Sequence, residues 1–93
     1  MPVMTDSQLE QELASLAGWA VVDGALRKRF PFRDFASAMA FANRVGDAAE
    51  AADHHPDLKV TFGAVEVAWV SHSEGGITER DVDMAMRCDE LAA

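Results

Sequence analysis

The sequence predicts an α+β fold: a four-stranded antiparallel sheet with helices packed on one face, in the order α-β-β-α-β-β-α. Three observations carry that prediction. Two segments, residues 19–30 and 58–72, each hold apolar strand-like runs broken by a short glycine turn. Between them, residues 34 to about 53 repeat apolar side chains at helical spacing. Thr5 and Thr78 each stand three residues before a side chain, Gln8 and Asp81, that can complete a helix-capping box.

The first helix starts at Thr5, runs on an apolar stripe of Leu9, Leu13 and Leu16, and stops at Gly18. WAVVDGALRKRF follows as a hairpin. Its Asp23-Gly24 pair suits a two-residue turn because both positions tolerate positive φ. Pro31, between Phe30 and Phe32, has no amide donor and marks a strand end or edge. The long helix then turns one face inward: Phe35, Ala38, Met39, Ala42, Val45, Ala49 and Ala52. Pro56 disfavours helix at His55 and sets the approximate end.

LKVTF and VEVAWVSH form the second hairpin around Gly63-Ala64, read as a type II′ turn. That register sets Phe62 opposite Val65, Val60 opposite Val67 and Leu58 opposite Trp69. On the outer strand face, Ala68 and Val70 are candidates for a protomer contact. The last helix begins at Thr78, with Ile77 and Val82 spaced as a hydrophobic staple. Val82, Ala85, Met86 and Cys88 point partly inward.

At 93 residues the chain reads as one domain, 1–93. Sixteen acidic residues against eight basic ones give a net charge of −8, which argues against nucleic acid or an anionic membrane as partner. Cys88, alone, has no partner for a disulfide or a C-x-x-C site. MPVMTDSQ lacks the basic start and apolar stretch of a signal peptide, and no apolar run approaches the ~20 residues that span a bilayer. A cytoplasmic protein is expected.

The chemistry concentrates in AADHHPDL, residues 51–58, which holds His54, His55 and Pro56. Extending the second hairpin brings the third histidine, His72, to the same end of the sheet. Glu50, four residues before His54, is placed to orient or charge its imidazole. Taken singly, a histidine at a helix C-terminus is explained by the helix dipole alone. Three imidazoles converging beside a carboxylate favour function. One chemistry is metal binding, through Glu50, His54 and His72. Against it, side chains of adjacent residues diverge, so His54 and His55 seldom share a metal. The other is general acid–base catalysis, since histidine gives and takes protons near neutrality.

These residues also carry a resemblance. Glu50, then His54-His55-Pro56 after three residues, Phe62 after five, His72 after nine and Asp81 after eight resemble the signature of the pterin-4a-carbinolamine dehydratase family. FPFRDF and GGITERD resemble the segments before the family's long and last helices, so the likeness covers roughly residues 19 to 91. The resemblance implies dehydration of 4a-hydroxytetrahydropterin to quinonoid dihydropterin, recycling the pterin of aromatic amino-acid hydroxylases. It implies a homodimer or homotetramer, with pterin as substrate and no metal or redox cofactor. By position, His54 and His72 would be the acid–base pair and His55 would bind and orient the pterin. Glu50 and Asp81 would support the cluster, Pro56 would shape the loop, and Asp53 and Ser71 would flank the site. Leu58 and Phe62 depart from residues common in the family, tryptophan and tyrosine, and are expected to alter the pocket. The alternatives are a non-catalytic regulatory or dimerisation module of the same fold, or a metal-binding protein.

Overall fold

The computed structural model describes residues 2–93. It has helix α1 (Asp6–Leu13), strands β1 (Ala20–Val22) and β2 (Ala25–Pro31), helix α2 (Phe35–Ala52), strands β3 (Asp57–Thr61) and β4 (Ala64–Trp69), and helix α3 (Glu79–Ala92). A 3-10 turn at His72–Glu74 precedes α3. The strands form one antiparallel sheet in the order β1-β2-β4-β3. The core lies between one sheet face, with Leu26, Phe30, Val65, Val67 and Trp69, and the inner faces of α2 and α3.

Local signals set most boundaries. Thr5 and Gln8 form a complete capping box on α1, and Thr78 and Asp81 form another on α3. Asp34 caps α2 by accepting from the Ser37 amide at 2.8 Å. Asp23 and Gly24 both take positive φ, as their hairpin requires. Pro31 ends β2 opposite Ala64, beyond the three residues of β2 that β1 covers, so no ladder partner misses its amide.

Elsewhere tertiary packing decides. Helix α1 ends at Leu13, short of Gly18. The amides of Ser15 and Leu16 bond back only three residues, to Glu12 and Leu13, and this tighter winding delivers Leu16 to the core. The β3–β4 turn is Phe62-Gly63, not Gly63-Ala64, which moves the register by two residues: Leu58 faces Val67 and Val60 faces Val65. Gly63 is absent from the positive-φ conformations a type II′ turn needs. The cause is β2, the other neighbour of β4. Pro31 stands opposite Ala64 and the Phe32 amide donates to the Gly63 carbonyl at 2.8 Å, so Ala64 belongs to the strand. A shift of two keeps every side chain on its face, so the apolar pattern fits both registers.

The helix faces also differ in detail. On α2 the buried residues are Ala38, Phe41, Ala42, Val45 and Ala49, whereas Phe35 and Met39 are 50% and 37% exposed and Ala52 is exposed. Phe41 sets this rotation by packing on Phe30 and Phe32, with ring centroids at 4.7 and 5.2 Å. On α3, Met84 is buried and Met86 exposed. Ala68, expected on an open outer face, is buried between its cross-strand neighbours Arg27 and Asp57.

Candidate active site

The end of α2 builds half of the site. Asp53 adopts the left-handed conformation, φ 51° and ψ 44°, which ends the helix. The His54 amide then returns to the Ala49 carbonyl at 3.1 Å. His54 is therefore outside the helical register, and the expected neighbour relation with Glu50 does not form. Glu50 pairs with Nε2 of His55 instead, and both side chains stand in solvent. Such an exposed pair stabilises the fold little.

The carboxylate partner of His54 is Asp81, 27 residues away, with Nε2 to Oδ1 at 2.5 Å. The His54 ring is only 10% exposed and Asp81 is fully buried. The imidazole also lies over the indole of Trp69, with centroids 5.6 Å apart and planes 24° apart, so its plane is fixed by the core.

Asp81 is the hub of a buried polar network. Its Oδ2 accepts the Thr78 amide at 2.8 Å and the Ser71 hydroxyl at 2.9 Å. Since Ser71 gives its only proton to Asp81, the Thr78 hydroxyl donates to Ser71, 2.9 Å away. Thr78 Oγ1 in turn accepts the Arg80 amide at 3.3 Å. Every donor points toward Asp81, and among the described residues no buried side-chain nitrogen or oxygen lacks a partner. Asp81 accepts from Thr78 and Ser71 at Oδ2, and we assign Oδ1 the same acceptor role toward Nε2 of His54, which leaves Nδ1 for other chemistry.

His72 comes from the other half. After β4, Ser71 bridges to Gly76 and the loop closes through the amides of Glu74, Gly75 and Gly76 onto the Ser71 carbonyl. This tight loop leaves the His72 side chain exposed. Asp53, His54, His55, Ser71 and His72 line one open cleft of about 270 Å³, together with Val70, Ser73 and Arg80. The three histidines thus meet at one surface, drawn from the α2 end and the β4 end.

The remaining expected site residues fall outside the cleft wall. Asp81 lies beneath it behind His54, serving both as the α3 capping carboxylate and as the imidazole partner. Glu50 reaches it only through His55. Pro56 precedes β3 and does not line it, and neither Leu58 nor Phe62 does. Phe62, in the far β3–β4 turn, is 71% exposed. Sequence reasoning missed Trp69 and Arg80 and saw Thr78 only as a cap; their roles rest on contacts between distant segments. Among the described residues no group of three or more His, Cys, Asp and Glu side chains is arranged to hold a metal ion.

Comparison with known proteins gives a consistent set of likenesses. A family model for pterin 4 alpha carbinolamine dehydratase matches residues 2–91. A protein of Koribacter versatilis (strain Ellin345) named "Putative pterin-4-alpha-carbinolamine dehydratase" is 46% identical over 88 residues, spanning 95% of this chain and 94% of its own. One of the same name from Mycobacterium sp. (strain KMS) is 45% identical over 91 residues, spanning 98% and 97%. The crystal structure of a transcriptional coactivator/pterin dehydratase from Brucella melitensis superposes with a TM-score of 0.93 at 35% identity, covering 98% of this chain and 99% of that one. A pterin dehydratase-like protein described as a RuBisCO assembly factor in the alpha-carboxysome shares the fold, with a TM-score of 0.67 at 24% identity over 81% of this chain and 87% of that one.

Proposed function

This chain belongs to the pterin 4 alpha carbinolamine dehydratase family, and on that premise we propose that it removes water from a 4a-hydroxytetrahydropterin. The observation that carries the reading is the cleft. It gathers all three histidines from segments far apart in sequence, with one of them anchored on a buried carboxylate.

His54 and His72 form the acid–base pair. One imidazolium protonates the 4a-hydroxyl, the C4a–O bond breaks and water departs. The N5–H bond gives up its proton to an imidazole, and its electron pair forms the C4a–N5 double bond of the quinonoid dihydropterin. His54 acts through Nδ1, because Nε2 is committed to Asp81. His55, steadied by Glu50, binds and orients the pterin. Asp53 and Ser71 flank the cleft, and Pro56, between His55 and β3, shapes the loop. Such an elimination needs no metal or redox cofactor. Its product must be reduced by a separate enzyme before the pterin serves another hydroxylation. Protomers pair with one another in this reading. No helix among the described residues is long and apolar enough to cross a membrane.

The test follows loss of the 4a-hydroxypterin by stopped-flow absorbance, for wild type, His54→Ala and His72→Ala. Each substitution is expected to slow turnover by roughly 10²–10⁴-fold, the range for removing a general acid or base. Wild-type protein no faster than buffer overturns the reading, and a rate abolished by chelator transfers it to metal chemistry.

A further inference from the structure

Arg80 has no part in the chemistry above, yet it lines the histidine cleft. Its Nη2 donates to the carbonyls of Ala52 at 3.2 Å and Asp53 at 3.0 Å. Those are the last residue of α2 and the left-handed residue that stops it. Helix C-terminal carbonyls lack partners within the helix and attract cations. The last turn of α2 contains no basic residue of its own. Arg80 supplies that charge from α3, where it occupies the first turn, at the helix end that disfavours a cation. Its placement is therefore poor for α3 and favourable for α2.

The neighbour of Arg80 is Asp81. Two consecutive residues of α3 thus grip consecutive residues of one turn: Arg80 holds the backbone at Ala52 and Asp53, and Asp81 holds the ring of His54. A left-handed aspartate is tolerated but unfavourable compared with glycine. Within that turn, the backbone bonds from Asp53 to Glu50 and from His54 to Ala49 are 3.2 and 3.1 Å. The guanidinium is the only side-chain donor in the described hydrogen bonds that reaches the carbonyls of this turn. Arg80 and His54 also border a second depression, between α2 and α3, with Ala52, Asp83 and Met84. The Arg80 side chain accordingly stands at the boundary of two openings onto the same imidazole.

We propose that Arg80 is a positioning residue, clamping the left-handed turn at Asp53 so that His54 and His55 keep their aim into the cleft. The catalytic consequence rests on the dehydratase reading; the clamp itself does not.

Two readouts on Arg80→Ala and Arg80→Lys test it. The first is amide hydrogen exchange at Asp53 and His54, which requires no activity. Arg80→Ala is expected to speed exchange there by roughly tenfold, the effect of losing a charged hydrogen bond, with the middle of α2 unchanged. The second is dehydration kinetics. Arg80→Ala is expected to lower kcat by about 10- to 100-fold with little change in KM, as a small misplacement of a reacting group does. Arg80→Lys, which keeps the cation and a donor, recovers part of both. Unchanged exchange at Asp53 and His54 in Arg80→Ala overturns the clamp. A fall in kcat without faster exchange also overturns it, because Arg80 then acts on the substrate directly. An inactive wild type would refute the dehydratase reading and leave the exchange result to decide the clamp alone.

Discussion

Asp81 shows how one side chain can serve the fold and the site together. As the N3 residue of α3 its carboxylate caps the helix, a role legible from Thr78-x-x-Asp81 alone. Its bond to His54 was not legible, because it depends on where α2 stops and how the chain turns at Asp53. Asp81→Asn separates the two roles. The amide keeps the shape but replaces one acceptor oxygen with a donor, facing either His54 or the donors Thr78 N–H and Ser71 O–H. At a fully buried position one unmatched donor pair costs about 1–3 kcal/mol. The substitution is expected to lower the urea midpoint accordingly. It should also remove the hydrogen-bonded imidazole N–H resonance of His54 in the proton NMR spectrum and reduce kcat by at least about tenfold. A spectrum that keeps this resonance, with normal kcat, places the His54–Asp81 pair outside the mechanism.

At the scale of elements, signals within four residues were readable and those set by a third element were not. The capping boxes and the Asp23-Gly24 turn fell where expected. The β3–β4 register did not, because Pro31 and Phe32 of β2 fix Ala64 within β4. The α2 face was misjudged for a related reason. Phe35 and Phe41 both sit at acceptable angles for an apolar stripe, and only the aromatic contacts of Phe30 and Phe32 choose Phe41. That choice leaves Phe35 and Met39 exposed one turn apart on the outer side of α2. Isolated exposed apolar residues are ordinary, but a helical pair flanked by exposed Ala36 and Ala40 makes a continuous patch. This is the surface through which the proposed pairing of protomers would run. Light scattering is expected to give at least twice the single-chain mass for wild type, and Phe35→Glu combined with Met39→Glu to lower it. A wild-type mass of one chain removes the proposal.

At the scale of the whole molecule, the core and the site meet at Trp69. Its indole is fully buried, carries the His54 ring on one side and donates Nε1–H to the sulfur of Cys88 at 3.4 Å. Cys88 is 1% exposed on the inner face of α3. Burial, the largest influence, raises its pKa from 9.0 to about 11, against a smaller opposing effect of the Trp69 hydrogen bond. A thiol this enclosed can be reached only when α3 leaves the sheet, so its reactivity reports that separation, whether it is local or part of global unfolding. The folded pKa lies above the unfolded value, so the thiol favours the fold fully below pH 9.0, and that contribution disappears as pH rises through about 11. The difference corresponds to roughly 2–3 kcal/mol. Two outcomes are expected. At pH 8 an aromatic disulfide reagent should label native protein at the rate of global unfolding and denatured protein at once. Between pH 8.5 and 11 the urea midpoint should fall more steeply for wild type than for Cys88→Ala, which lacks the titrating group. Labelling much faster than unfolding would mean that α3 detaches locally. Because Arg80 and Asp81 lie in the first turn of that same helix, the grip on His54 would then open and close with it.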